Sequence, residues 1–305
     1  MNNAGGHRLD PVVIGEIEEP PFARVPDACR LFRSRAERFQ ELSAQHELAP
    51  FLQFLSEVSF CQHALQEGLE HVDLPNEHEL SRARAFGMPP LDRNHFAMNS
   101  TFDATLGRFL ALASNVDMPE TARAALSRVT QADGEMRFVM VRAVLADAVP
   151  LAHCAEHVFV AAALQVHYAR LASRLDPKKL VPVGDGACPA CGGAPVSSMI
   201  VAWPGAQNTR FCVCSLCATQ WNYVRIKCTM CGSTKGISYQ QIDGGNGTVW
   251  AETCESCRAY VKILHQHKNP GLDPVADDVG SLSLDVLVRE SEYRRGGVNP
   301  FLLGY

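Results

Sequence analysis

Eight of the twelve cysteines fall into four Cys-x-x-Cys pairs, Cys188/Cys191, Cys214/Cys217, Cys228/Cys231 and Cys254/Cys257, and a constant step of 40 residues carries the first two pairs onto the last two. Gly192 and Gly232 keep the step, as do Gly205 and Gly245. A fixed period of this kind marks a duplicated structural unit. Within each unit 22 residues separate the pairs. They include PVSSMIVAW, PGAQN and TRFCVC in the first, and GISYQQID, GGNG and TVWAET in the second. Both read as strand, glycine-containing turn, strand, and a third strand, QWNYVRIK or RAYVKILHQH, follows each.

A Cys-x-x-Cys turn lets two thiolates converge on one ion, and two such turns brought together by a hairpin complete a tetrahedral site. The natural grouping is therefore Cys188, Cys191, Cys214 and Cys217 around one metal, and Cys228, Cys231, Cys254 and Cys257 around a second. Pairing across units, such as Cys214/Cys217 with Cys228/Cys231, is the alternative. The step lands Cys212 on Glu252, so Cys212 is expected to be a strand residue and not a ligand. Zinc and iron both accept four thiolates, and the spacing does not separate them. Four protein ligands leave no open position for water, which argues against hydrolytic metal catalysis. Units this short bury little, so metal contributes most of their folding free energy. The first turns, CPACG and CTMCG, have the form used in rubredoxins, whose glycine lets backbone amides approach the sulfurs; the second turns, CSLCA and CESCR, lack it.

The rest of the chain reads differently. From about residue 25 to 174 apolar residues recur at helical spacing, over 25–46, 49–71, 100–115, 119–131, 135–148 and 151–174. Asp117 and Glu120 bracket Pro119 as a capping box, and the proline-containing stretch from Leu74 to Phe96 reads as a long connection. Cys29, Cys61 and Cys154 fall on apolar faces as small buried residues. Pro177, Pro182, Gly184 and Gly186 punctuate a linker near 175–187. The expected architecture is α+β and multidomain: a flexible segment over 1–22, an all-helical domain over 23–180, two tandem rubredoxin-like or zinc-ribbon β units over 187–227 and 228–268, and a C-terminal helix and tail over 270–305. The tail's helix is expected over Ser281 to Tyr293, with Phe301, Leu302 and Leu303 docked on the body.

Glu16, Glu18 and Glu19 interrupt the region where an export signal would be uncharged, so a cytoplasmic chain is expected; twelve cysteines are many for one, and reducing conditions favour metal ligation or catalysis over disulfides as their use. His153, Glu156, His157, Gln165, His167 and Arg170 interrupt the most apolar stretch, Leu151 to Ala172, which reads as a buried helix and not a membrane span. His153 and His157 lack a third ligand in register, and His265 and His267 read as surface residues. No phosphate loop, nucleophile elbow or zinc-protease motif is present, and no catalytic residue is expected. Between Lys178 and Lys268 nine Lys or Arg oppose four Asp or Glu, but eight thiolates on two divalent ions bring that surplus near +1. A basic nucleic-acid footprint is therefore absent. A zinc-ribbon nucleic-acid-binding or transcription-associated protein, and a rubredoxin-like electron carrier, are the competing readings. A homodimer is compatible with the sequence.

The helical first half, the four cysteine pairs, the linking WNYVRIKCTMCG and an ending with LDVL and NPFL together resemble the formate dehydrogenase accessory protein family, over essentially the whole chain. The resemblance implies a cytoplasmic, non-catalytic protein needed for biogenesis of respiratory formate dehydrogenase, contacting its catalytic subunit before export. It also implies that the eight paired cysteines hold two metal ions, one per four-cysteine site, iron of rubredoxin type or zinc. It assigns no role to Cys212.

Overall fold

The computed structural model describes residues 19–69 and 72–303, so most of the expected flexible segment, 1–18, lies outside the described residues. A short strand, β1 (Ala23–Arg24), precedes helices α1 (Ala28–Ser43), α2 (Ala49–Glu67), α3 (Glu77–Ala85), α4 (Ser100–Ala113), α5 (Glu120–Gln131), α6 (Gly134–Leu145) and α7 (Cys154–Ala172). Asp27, Asn99 and Asp133 start α1, α4 and α6 by accepting first-turn amides on their side chains. Because α7 is apolar on nearly every side, it is buried at the centre of the bundle, against α2, α4, α5 and α6. Two of its buried polar groups are paired across the bundle: Arg128 Nε donates to Glu156 Oε1 at 2.6 Å, and Gln62 Nε2 to Gln165 Oε1 at 3.0 Å.

Four local expectations are corrected. Pro119 itself caps α5 with no side-chain hydrogen bond, so the Asp117–Glu120 box does not form. The supposed connection over 74–96 contains α3, which carries a true capping box between Asn76 and Glu79. Cys29 is exposed, because it sits in the first turn of α1 ahead of the buried stripe that begins at Phe32; Cys61 and Cys154 are half-buried. The helix expected over 281–293 is α9 (Leu282–Glu290), which stops short of Tyr293, and a further short helix, α8 (Ala276–Gly280), precedes it. The break falls at Ser281, whose hydroxyl donates back to Asp277 O at 2.6 Å and receives Lys262 Nζ at 3.0 Å.

Strands β2 (Pro195–Ile200), β3 (Arg210–Cys214) and β4 (Gln220–Asn222) form the first ribbon, and β5 (Ile237–Gln240), β6 (Val249–Cys254) and β7 (Ala259–His265) the second. The ribbons are fused: β2 pairs in parallel with β7, giving one sheet in the order β1-β4-β3-β2-β7-β6-β5, and the short β8 (Arg294–Arg295) also lies along β7. A bidentate ion pair between Arg210 on β3 and Glu252 on β6, at 2.8 and 2.9 Å, crosses from one ribbon to the other inside the protein. The tail docks as expected, with Phe301 and Leu302 buried and the Phe301 ring 6.2 Å from that of Phe39. Beneath it, Lys262, Asp278, Asp285 and Arg295 form a buried charge network, and Asn299 Nδ2 donates to Asp278 at 2.7 Å.

Candidate metal centres

All four Cys-x-x-Cys turns are built alike. In the first turn of each ribbon the chain passes through a left-handed residue, Gly192 (φ +74°) or Gly232 (φ +71°), and its amide returns to the carbonyl of Cys188 (2.8 Å) or Cys228 (3.0 Å). The second turns reach the same geometry without glycine, through Ala218 (φ 59°) and Arg258 (φ 54°). Side chains rarely adopt this backbone region, and the surrounding fold holds them there. Amides then point at sulfur: Leu216 N and Cys217 N lie 3.4 and 3.5 Å from Cys214 Sγ, and Met230 N 3.3 Å from Cys228 Sγ.

The structure brings together the two groups expected within units. In each, the four Sγ atoms lie within 4.8 Å of one another. The closest approaches are 3.5 Å for Cys188–Cys217 and 3.4 Å for Cys191–Cys214, with 3.7 Å for both Cys228–Cys257 and Cys231–Cys254. A tetrahedron with metal–sulfur bonds of about 2.3 Å has sulfur–sulfur edges of about 3.8 Å, so both clusters fit one ion held by four thiolates. No described residue offers a fifth ligand to either group. The alternative pairing across ribbons is not what the fold makes.

Around the first centre every sulfur is buried, at most 2 % exposed. The helical body closes over both turns: Leu91 N donates to Ala190 O at 2.8 Å, Arg93 N to Cys191 O at 3.1 Å, and Gln165 Nε2 to Ser215 O at 2.8 Å. A Cβ added at Gly193 would come within 3.1 Å of Cys214 Sγ and 3.3 Å of Cys191 Sγ. At the second centre Cys228 and Cys254 are buried, but Cys257 is half-buried and Cys231 exposed.

Without metal, burial pushes the Cys188 and Cys191 thiols well above their ordinary range. Burial also opposes ionisation of Cys214, but hydrogen bonds from the other thiols and from the Cys217 amide outweigh it and hold that group well below the usual range. The pattern repeats 40 residues on. Burial raises Cys228 to about 12, whereas at Cys254 the amides of Cys257 and Ser256 overcome burial and bring the thiol to about 7. Each cluster thus has one sulfur already disposed to be a thiolate, at the same place in each repeat.

Cys212 stands apart, as expected. It is buried on β3 with its sulfur 3.6 Å from Ser198 Oγ and outside both clusters. The other candidates do not form sites. His157 Nδ1 bonds the His153 carbonyl at 2.7 Å, while His153 is exposed. His265, expected on the surface, is buried at the end of β7 with its ring 4.3 Å from Trp250; His267 beyond the strand is exposed. β7 is buried on both faces from Tyr260 to His265, so neither face of the strand turns His265 outward.

A helical body carrying a fused pair of four-cysteine ribbons defines a two-centre metal-ribbon protein. Sequence models of the FdhE family match it throughout: "FdhE, N-terminal" over residues 20–185, "FdhE, central domain" over 187–225 and "FdhE, C-terminal domain" over 226–302. The chain is 46 % identical over 298 residues to the FdhE homolog of Rhizobium meliloti (strain 1021), covering 97 % of each chain. It is 36 % identical over 286 residues to that of Proteus mirabilis (strain HI4320), covering 92 % of this chain and 91 % of the relative. The crystal structure of the FdhE protein from Pseudomonas aeruginosa superimposes with a TM-score of 0.83 at 30 % identity, over 93 % of this chain and 99 % of that one. The chain belongs to the FdhE family, the formate dehydrogenase accessory proteins.

Proposed function

We propose that this protein is a non-catalytic maturation factor that binds the immature catalytic subunit of formate dehydrogenase in the cytoplasm, with one metal ion in each four-cysteine cluster. Cys188, Cys191, Cys214 and Cys217 hold the first ion, and Cys228, Cys231, Cys254 and Cys257 the second. The observation that carries this reading is the closure of both clusters: four sulfurs at tetrahedral spacing leave no coordination position for a substrate. Family membership supports formate dehydrogenase as the enzyme served. No helix among the described residues is long and apolar enough to cross a membrane, in keeping with a factor that meets its client before export. Iron of rubredoxin type would add one-electron chemistry at these positions; zinc would supply cohesion alone.

The test is an affinity purification without oxygen from cells making formate dehydrogenase, with metal analysis and mass spectrometry of what co-purifies. Two equivalents of metal per chain and specific recovery of the catalytic subunit are expected. A Cys188→Ser variant that kept both its metal content and formate-dependent activity would sink the reading, as would recovery of nucleic acid or polymerase components in place of the subunit.

A further inference from the structure

The fused sheet ends differently at its two sides. The outer edge of β4 is covered by β1, with Ala23 opposite Trp221. At the other side β5 pairs only with β6 among the described residues, so its outer edge is open. Proteins ordinarily cover or blunt such edges, because unpaired strand amides and carbonyls recruit another backbone.

Over the sheet face next to this edge lies the loop that joins the two ribbons. Val224 and Ile226 are 61 % and 58 % exposed, and Tyr239 on β5 is 39 % exposed. Tyr239 donates its hydroxyl to Arg225 O at 3.0 Å, which joins loop and strand into one surface. The loop is held from beneath. The buried guanidinium of Arg210 donates to the carbonyls of Val224, Arg225 and Lys227, at 3.4, 3.5 and 3.1 Å, while Glu252 fixes its other face. Apolar side chains left in water on a loop whose backbone is already ordered need no further ordering on binding, which favours association. The exposed side chains of Arg225 and Lys235 make no ion pair with any described residue, and Glu255 is the carboxylate that lies against Gly236 at the start of β5.

We infer that the open edge of β5 and the Val224–Arg225–Ile226 loop form the docking face for an extended segment of the client polypeptide that is apolar and bears acidic side chains. This deepens the assembly role proposed above and rests on it. An open strand edge is satisfied by another peptide backbone, which selects a polypeptide. Val224, Ile226 and Tyr239 select apolar side chains on it, and Arg225 with Lys235 selects carboxylates and speeds the encounter.

The experiment compares three full-length metal-loaded proteins in anaerobic capture of the formate dehydrogenase catalytic subunit: wild type, the double variant Val224→Asp/Ile226→Asp, and Val139→Asp on the exposed face of α6 as control. Two metal ions per chain and unchanged melting temperature show that each is folded. Capture should fall at least tenfold in the double variant and remain in the control, and Arg225→Glu should lower it severalfold with a weaker salt dependence. A photo-crosslinking residue at position 226, but not at 139, should form an adduct with the subunit, which keeps the test open if the double variant misfolds. Undiminished capture by the double variant and no adduct from 226, with wild-type capture intact, overturn the docking face alone. Absence of capture by wild type overturns the assembly role and the docking face with it, and retention of nucleic acid by this face would do the same.

Discussion

One residue after the first-turn glycine, the first ribbon carries Gly193 and the second Ser233; between the ligands it carries Pro189-Ala190 and Ser215-Leu216, where the second has Thr229-Met230 and Glu255-Ser256. The ligands are duplicated and their surroundings are not. Gly193 leaves room for sulfurs packed under the helices, whereas Ser233 faces outward and bonds Ser256 Oγ at 3.0 Å. The first centre belongs to the main core, which runs from Ala23 to Leu302 and includes all four of its cysteines. The second ribbon rests on a satellite cluster of Ala251, Tyr260, Leu284 and Val288. Identical donor sets can thus serve different ends: one centre is framework, the other is within reach of solvent and partners.

The largest expected difference comes from removing a ligand. Structural zinc sites contribute about 10–16 kcal/mol in small domains, comparable with the whole stability of a protein. Cys188→Ser should therefore yield little soluble protein, whereas Cys231→Ser should remain folded with one metal instead of two, as read by metal analysis and thermal melting. A chelator added to wild type should withdraw one ion quickly and the other slowly, and the fast phase should be absent from Cys231→Ser. Equal rates would end the distinction between the centres.

A middle-sized effect is expected from acid. His167, buried beside Phe96, Phe102 and Tyr168 in the cover of the first ribbon, is held to about 4 by burial, with Arg170 adding to the effect. Its folded pKa lies below the ordinary 6.5, so the imidazole stays neutral in the fold. The stability it contributes is complete above pH 6.5 and is lost as the pH falls toward 4, by at most about 3 kcal/mol. Denaturant melts between pH 7 and 4.5 should show that loss in wild type and a flatter profile in His167→Phe. A profile unchanged by the substitution would remove His167 from the account.

The smallest effect tests packing at the sulfurs. Gly193→Ala should cost about 1–3 kcal/mol, the range for an added methyl in a filled interior. Ser233→Ala, at the matching position of the exposed ribbon, should stay within about 0.5 kcal/mol. Equal costs would mean that the two turns are constrained alike.

Much of this was legible before any coordinates. The step of 40 residues picks out both four-cysteine groups as the natural assignment, because a duplicated unit repeats its donors in register. The helices of the body show in their apolar periodicity. The seam between β2 and β7 was not legible. Both strands are buried almost throughout although Ser197, Ser198 and Lys262 interrupt their apolar residues, and nothing local specifies which neighbour a parallel strand takes. Helix α3 has only weak apolar periodicity, and its signal was Asn76 followed three residues on by Glu79, obscured by the prolines nearby. The outward turn of Cys29 depends on where the packing partner of α1 ends, which no single helix encodes.

The seam also imposes an order on synthesis. All four thiols of the first centre have been made once the chain reaches Cys217, yet β2 waits for β7, with Ser198 opposite Ile263, and β1 waits for β4, with Ala23 opposite Trp221. Pairings so distant in sequence form late. On the ribosome the first ribbon can therefore close around its ion while one flank of its sheet is still bare, and the molecule is clasped shut only as its last fifth emerges.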